Sequence, residues 1–271
     1  MAATQDSDFD LGTPFLKLVR EGHLLRLTID RPASRNALSA SMYFGIKRAV
    51  QIADGSEEPC ALVITGVDDV FAPGGELRGV AEDPNPVLDW IDPAEVTPFE
   101  AVRHSFAPIV SAVNGICQGG GLLIAMLSDV AVASERATFR APELLRGIAD
   151  TGYAAYLPPH VGLANARDLL LTGRKLDAEE ARAMGLVSRV VAHDELEQRA
   201  VAAAEELLQM APAARMHVKR LLNANYGSPD RMTMQWSLFH DAREAKEGMQ
   251  AFAEKRAPSW LPPALGKRGR L

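Results

Sequence analysis

The run Ala112-Val-Asn-Gly-Ile-Cys-Gln-Gly-Gly-Gly-Leu-Leu-Ile-Ala-Met-Leu-Ser-Asp-Val-Ala-Val-Ala-Ser134 sets three consecutive glycines, Gly119 to Gly121, at the head of an almost wholly apolar segment. Residues 109–113 read as a short buried strand, ended by the turn chemistry of Asn114-Gly115. Leu122, Leu123, Ala125, Met126 and Leu127 are too few and too interrupted to span a membrane, so they predict a buried helix. Asp129 stops that helix, and residues 130–133 start another strand. Each glycine weakens a helix by roughly 1 kcal/mol relative to alanine, so three at one helix head need a reason. Close packing against a neighbouring element is one. The other is that bare backbone N–H groups, which lack intrahelical partners at a helix N-terminus, face a ligand oxygen. A nucleotide P-loop is excluded, because no Gly-Lys-Ser/Thr follows.

A second glycine turn lies upstream. Residues 62–66 read as a strand, and Val70-Phe-Ala-Pro-Gly-Gly-Glu-Leu77 follows as a tight turn into a helix. Two strand–turn–helix units, each offering backbone N–H groups, can together build an oxyanion hole.

The rest of the chain alternates in the manner of an α/β protein. Residues 15–19 and 23–29 predict a hairpin around Glu21-Gly22. A loop leads to a helix with Ser39 or Ser41 as N-cap and an apolar stripe of Met42, Ile46, Ala49, Val50 and Ala53. Strand–helix–strand succession implies a mainly parallel arrangement with right-handed crossovers. Residues 83–98 hold Pro84, Pro86, Pro93 and Pro98 without a clear period and read as a long loop. Residues 99–106 predict a helix, 138–140 a short strand, 153–157 a helical turn and 164–171 an amphipathic helix closed by Gly173. Asp177 caps a further helix ending at Gly185, and Leu186, Val187, Val190 and Val191 suggest a late strand. From Glu195 the pattern is helical to Arg256, interrupted at Pro212 and Gly227-Ser-Pro229.

Composition narrows the function classes. A net charge of −6 gives no overall basic face for nucleic acid. Cys60 and Cys117 supply no disulfide framework and are expected as buried thiols in a reducing compartment. With no signal peptide or transmembrane run in view, a cytoplasmic location is expected. His193 and His240 have no metal-ligand spacing with cysteines or acids, so no metal is expected; His104 is expected to be structural.

Together these pieces resemble the crotonase family, the enoyl-CoA hydratase/isomerase superfamily. The resemblance runs from about Phe15 to Trp260. It is carried by Asp30-Arg-Pro-Ala-Ser-Arg-Asn-Ala-Leu38, the two glycine stretches, Ala141-Pro-Glu143, Leu171-Thr-Gly173 with Ala178-Glu-Glu-Ala-Arg-Ala-Met-Gly-Leu-Val187, and Glu247-Gly-Met-Gln-Ala-Phe-Ala-Glu-Lys-Arg256. Each piece is weak alone; their order and spacing are specific. The resemblance implies an α/β fold of the crotonase type, a spiral of repeated ββα units. It implies a loose tail over residues 1–14, a core with the catalytic site over 15–194, and an all-helical region over 195–271 that makes trimer contacts. A homotrimer or dimer of trimers acting on an acyl-CoA thioester is expected, with no cofactor beyond the coenzyme A of the substrate and no nucleic-acid or membrane partner. Trp90 and Ile91 are expected to cover either the acyl pocket or a neighbouring subunit.

Residue by residue, the resemblance assigns the oxyanion donors to Gly75 and Gly120 and a catalytic glutamate to Glu143. The bland alternative for Glu143 is a salt bridge to Arg140 or Arg146. Leu123 departs from the pattern. It lies 20 positions before Glu143, where hydratases of the family carry a second glutamate. Two carboxyl groups hold a water between them; leucine cannot. One carboxylate suffices to move a proton between two carbons, so double-bond isomerisation is favoured over hydration, and Leu123 becomes an apolar wall for the acyl chain. Asp150, seven residues after Glu143, is a second acid/base candidate or else a loop or helix-cap aspartate. Arg35 and Ala37 lie in the loop that lines the CoA nucleotide. Phe252 and Lys255 match residues that reach a neighbouring subunit's CoA, or else form a solvated basic helix end. A catalytically silent acyl-CoA-binding protein is the reading from outside enzymology.

Overall fold

The computed structural model describes residues 9–76, 97–224 and 242–259. Among these the chain divides into two compact units, the first built from 9–76, 97–140 and 175–224 and the second from 141–174 and 242–259. Trp90, Ile91 and the helix expected after Gly75 lie outside the described residues, as do most of the proline-rich stretch and residues 1–8 of the expected tail.

In the first unit, β1 (Leu16–Glu21) and β2 (Leu24–Ile29) form the expected antiparallel hairpin. Helix α1 (Ala40–Asp54) begins at Ser39, whose hydroxyl accepts from the Met42 N–H at 3.4 Å, so Ser39 rather than Ser41 is the cap. Its apolar stripe is buried at Met42, Ile46, Ala49, Val50 and Ala53. The chain then repeats one pattern. Strands β3 (Ala61–Gly66) and β4 (Val70–Ala72) are followed by α2 (Phe99–His104). Next come β5 (Ile109–Val113), β6 (Ile116–Gln118) and α3 (Gly120–Leu127), then β7 (Val130–Ser134) and β8 (Thr138–Arg140). The first strand of each of these pairs enters a sheet ordered β1-β2-β3-β5-β7-β10 and the second enters a smaller sheet ordered β4-β6-β8-β9; β9 (Leu176–Asp177) and β10 (Arg189–Val191) close the smaller and the larger sheet respectively. From β2 onward the larger sheet is parallel. Its central strand β5 is buried at every position, as a parallel strand covered on both faces must be.

The corners between paired strands are stacked more tightly than side chains allow. A Cβ on Gly115 would stand 1.9 Å from the Asp69 carbonyl oxygen, and one on Gly66 2.1 Å from that of Val70. The Ile116 N–H donates to Asp69 O at 3.0 Å, binding the second corner to the first. Two buried asparagines satisfy the remaining corner groups. Asn114 Oδ1 accepts from Gly66 N–H at 3.1 Å, while its amide donates to Asp68 O at 2.6 Å. Asn36 donates to Val67 O and Val70 O at 3.2 and 2.7 Å and accepts from Arg31 N–H at 3.0 Å.

The helices α4 (Thr151–Val161) and α5 (Leu163–Thr172) of the second unit come next in the chain, and between β9 and β10 Asp177 caps α6 (Ala178–Ala183) as expected. Helix α7 (Leu196–Leu208) lays Leu196, Ala200, Ala203 and Ala204 onto Leu24, Ala61, Val63, Val110, Ala112 and Val132 of the larger sheet. Helix α8 (Pro212–Ala224) is anchored by Lys219, whose ammonium reaches Asp129 at 2.9 Å and Ser105 Oγ at 2.9 Å. The helices from residue 195 onward are thus distributed: α7 and α8 belong to the first unit, α9 (Ala242–Ala253) to the second.

In the second unit the expected turn at 153–157 is an eleven-residue helix, α4, despite Pro158 and Pro159 within it. Asp150 caps its start, and the fully buried Tyr153 and Tyr156 hold it. Helix α5 ends at Gly173 in the left-handed conformation. No described helix is long and apolar enough to cross a membrane.

Asn36→Ala removes the side-chain partner of one buried carbonyl, one partly buried carbonyl and one buried N–H and keeps a left-handed backbone, at φ 61°, that alanine disfavours. At roughly 1–3 kcal/mol for each buried unsatisfied group, the expected loss is at least about 2 kcal/mol in urea unfolding. A loss below about 1 kcal/mol contradicts this account of the corners.

Candidate active site

The three glycines at the head of α3 have three separate reasons. Gly119 takes φ 53° and ψ −133°, a backbone open to glycine. A Cβ on Gly121 would lie 2.4 Å from Ala72 O, so this position is the close-packing one. At Gly120 the nearest atoms all belong to Tyr43, whose hydroxyl stands 2.0 Å from where a Cβ would be. As the first residue of α3, Gly120 has no intrahelical acceptor for its N–H.

The other turn comes alongside. Gly74, at φ 107°, would carry a Cβ 3.4 Å from Gly119 Cα and 3.7 Å from the Gly120 nitrogen. Gly75 forms an isolated parallel bridge with Leu38. Its bonds run from Leu38 N–H to Gly74 O and from Glu76 N–H to Leu38 O, each 2.9 Å. The N–H of Gly75 therefore points away from Leu38, and the residue is exposed. The two expected donors lie on adjoining turns of the first unit, each with an N–H that the ladder or helix does not use. Leu123 is 3% exposed, one helical turn beyond Gly120, and adds only apolar surface.

The loop before α1 is tied to the first turn by Arg31. Its buried guanidinium makes a two-pronged contact with Glu76 at 2.8 and 3.3 Å, donates to Ala37 O at 3.1 Å and lies 4.8 Å from the Phe15 ring centre. This fixes Ala37 beside the Gly74–Glu76 turn. Arg35 is exposed, with φ 50°, at the end of a short turn over Pro32–Ser34. Cys117 and Cys60 are both buried free thiols; burial pushes the Cys117 thiol well above its ordinary range, so it is inert.

The carboxyl groups belong to the second unit. Glu143 opens a short 3-10 turn, Glu143–Arg146, closed by Gly147 at φ 70°. Its carbonyl accepts from Ile148 N–H at 3.0 Å, but its carboxyl oxygen Oε2 is buried with no hydrogen-bond partner among the described residues. Desolvation, and then the charge of Asp150, push the Glu143 carboxyl up to about 8; Arg146 opposes this only weakly. Asp150 accepts from Tyr153 N–H at 3.0 Å as the cap of α4. Burial nevertheless raises its pKa, against the lowering effect of the Tyr153 and Gly152 hydrogen bonds. Thr151 Oγ1 is a second buried atom in this segment without a partner among the described residues. Buried polar groups are normally satisfied, so orphaned atoms this close in sequence call for a ligand or water.

Helix α9 backs the Glu143 turn. A Cβ on Gly248 would stand 2.4 Å from Arg146 O, and the Phe252 ring centre is 5.0 Å from the Arg146 guanidinium carbon. Phe252 is 41% exposed. Lys255 closes the helix at φ 54°, and Arg256 beside it holds Glu247 through two contacts of 2.7 and 3.0 Å. Among the described residues, no group of three or more His, Cys, Asp or Glu side chains is arranged to hold a metal.

Residues 20–262 match the family model described as Enoyl-CoA hydratase/isomerase. Carnitinyl-CoA dehydratase of Salmonella typhi is 34% identical over 257 residues, spanning 90% of this chain and 97% of that protein. Among solved structures, an enoyl-CoA hydratase/isomerase from Pseudoalteromonas atlantica T6c superposes with a TM-score of 0.77 at 32% identity, covering 91% of this chain and 100% of that one. A monofunctional enoyl CoA isomerase from M. smegmatis gives 0.66 at 27% identity, over 78% of this chain and 92% of that one. The chain belongs to the enoyl-CoA hydratase/isomerase family, and its paired-strand repeat is the crotonase fold.

Sequence reasoning named Gly75, Gly120, Leu123, Glu143 and Asp150 but missed Tyr43, Arg31 and Gly248. Tyr43 carried one usable signal: a polar-tipped ring in the first turn of a helix, off the apolar stripe.

The raised Glu143 pKa has a stability consequence. A carboxyl lifted from 4.5 to about 8 on folding supports the native state fully below pH 4.5; that support falls away as pH rises to about 8. Glu143→Gln removes the dependence. The variant is expected to match wild type near pH 4 and to be more stable at pH 8.5 by roughly 1–3 kcal/mol, a few degrees in Tm. Equal melting temperatures at both pH values contradict the buried, proton-holding state.

Proposed function

We propose that this chain catalyses a proton shift on an enoyl-CoA thioester, with double-bond isomerisation as its favoured reaction. The observation that carries the reading is Glu143: a buried carboxyl with an oxygen unpartnered among the described residues and a titration point near 8. Such a group gives up and takes back a proton at neutral pH with little driving force either way. The N–H groups of Gly75 and Gly120 bind the thioester oxygen, which acidifies the α-carbon. Glu143 takes the proton from C2 of a 3-enoyl thioester. The electron pair spreads into a dienolate whose oxygen rests on the two N–H groups. Glu143 then returns the proton to C4, leaving the double bond between C2 and C3. No water enters and none leaves. Leu123 supports this reading by offering nothing to hold a water.

Reversible hydration is the second reading. It is favoured by the Asp150 carboxyl, near enough to raise the Glu143 pKa, and by the dehydratase name of the Salmonella relative. Arg35, Ala37, Phe252 and Lys255 are assigned to the CoA moiety, and no further cofactor is invoked. A homotrimer or dimer of trimers fits the exposed Val218, Leu221 and Leu222 of α8; light scattering giving a monomer at micromolar concentration argues against it. A cytoplasmic location remains part of the proposal.

Turnover of cis-3-enoyl-CoA and of trans-2-enoyl-CoA separates the readings. Isomerisation predicts turnover of the first and little hydration of the second; turnover of neither, with binding retained, identifies a silent acyl-CoA-binding protein. Because the basic form of Glu143 starts the reaction, kcat/KM for the 3-enoyl substrate should rise about tenfold per pH unit and level off near 8. Glu143→Gln should cut kcat by roughly 10²–10⁴-fold with little change in affinity. A near-wild-type Glu143→Gln with an inactive Asp150→Asn reassigns the chemistry to the aspartate.

A further inference from the structure

The functional reading uses two backbone N–H groups and leaves unassigned the side chain that stands against both glycines. Tyr43 lies in the first turn of α1, beside the buried Met42 but off the stripe that fills the core. Its ring meets Phe99 edge-on, with centroids 5.9 Å apart and planes at 70°. This contact sets the direction in which the phenol points. The hydroxyl is the nearest atom to the space above each glycine: 2.0 Å from a Cβ built on Gly120 and 3.5 Å from one built on Gly75. A Cβ stands about 1.5 Å from its Cα, as in other carbon–carbon single bonds. The Tyr43 oxygen is therefore within about 3.5 Å of Gly120 Cα and about 5 Å of Gly75 Cα. All three residues belong to the first compact unit.

We propose that the Tyr43 hydroxyl is a third hydrogen-bond donor to the thioester oxygen bound by Gly75 and Gly120. The inference rests on the oxyanion reading above and extends it to a side chain. A neutral phenol is a good donor at any pH below about 10. Its bond to the oxygen is neutral-to-neutral in the bound substrate and charge-assisted in the dienolate, where such bonds are about twice as strong. The interaction therefore favours the transition state over the ground state and acts on kcat more than on KM. It also accounts for glycine at position 120. The three atoms nearest a Cβ there all belong to Tyr43, whereas at Gly121 the nearest is Ala72 O; any side chain at 120 would displace the phenol.

The test compares the full-length protein with Tyr43→Phe, which keeps the ring and its contact with Phe99. Two readouts are needed: steady-state kinetics on 3-enoyl- and 2-enoyl-CoA thioesters, and the absorbance of a bound aryl-acryloyl-CoA, whose conjugated band moves to longer wavelength as its carbonyl is polarised. The expected result is a kcat lowered about 10–100-fold, at or below the range for losing one oxyanion donor. KM should stay within about threefold and the band shift on binding should shrink. Tyr43→Leu, which also removes the ring, should show the same loss of band shift. Wild-type kcat and band shift in Tyr43→Phe overturn the proposal. So does a rise in kcat, which would make the hydroxyl an occupant of the site rather than a donor. A fall carried by KM alone, with the band shift intact, also overturns it and leaves Tyr43 a packing residue. Failure of the wild type to bind or turn over any CoA thioester defeats the functional reading itself, and the wild-type arm registers that separately.

Discussion

The stacking of backbone corners is the constraint on which the first unit depends. Parallel strands in two sheets must be joined by corners that lie one upon another. Gly66 and Gly115 allow this only because neither carries a Cβ. Stacked corners leave backbone groups with no ladder to join, and burying them unpaired is costly. Asn36 and Asn114 take up that role. The consequence is chemical as well as structural. Fixed corners set β4 beside β6, so the chain leaves each strand into a glycine turn at the same level. Gly74 then comes against Gly119 and Gly120. The two N–H groups assigned above to the thioester oxygen are thus held in place by the fold, which is what the proposed stabilisation of a developing oxyanion requires.

Much of this was legible in the sequence, and for physical reasons. Apolar periodicity located α1 and the buried α3; Gly173 and Asp177 marked an end and a beginning by their chemistry. The glycine run was legible as a cost that had to be offset, but not as three different costs. Packing, backbone conformation and space for a phenol look alike in a string of letters. Asn36 and Asn114 read as loop residues, since burial and partners belong to tertiary structure. The length of α4 was hidden by Pro158 and Pro159, which ordinarily end a helix. The buried tyrosines and the Asp150 cap outweigh them.

The carboxyl groups divide in the same way. Proximity in the chain pointed to Glu143 and Asp150 as a pair. The structure adds that their environments differ: Asp150 is held by the α4 N-terminus, while Glu143 has an oxygen with no partner among the described residues. One carboxyl is thus given a structural task and the other is left with an unmet need. An unmet hydrogen-bonding need in a buried acid is where a proton, a water or a substrate goes.

Gly248 has a consequence for how this protein can change. Its Cα sits so close to the Arg146 carbonyl that α9 rests directly on the turn carrying Glu143. Any side chain at 248 must lift the helix or press on that turn. The reach of a proton carrier is sensitive to shifts of about 1 Å. Position 248 therefore works as a spacer: a residue without a side chain sets the stand-off of the turn that carries Glu143, the proposed proton carrier. On the proposed mechanism, variation in the outer helix retunes the reaction while every proposed reacting group stays the same.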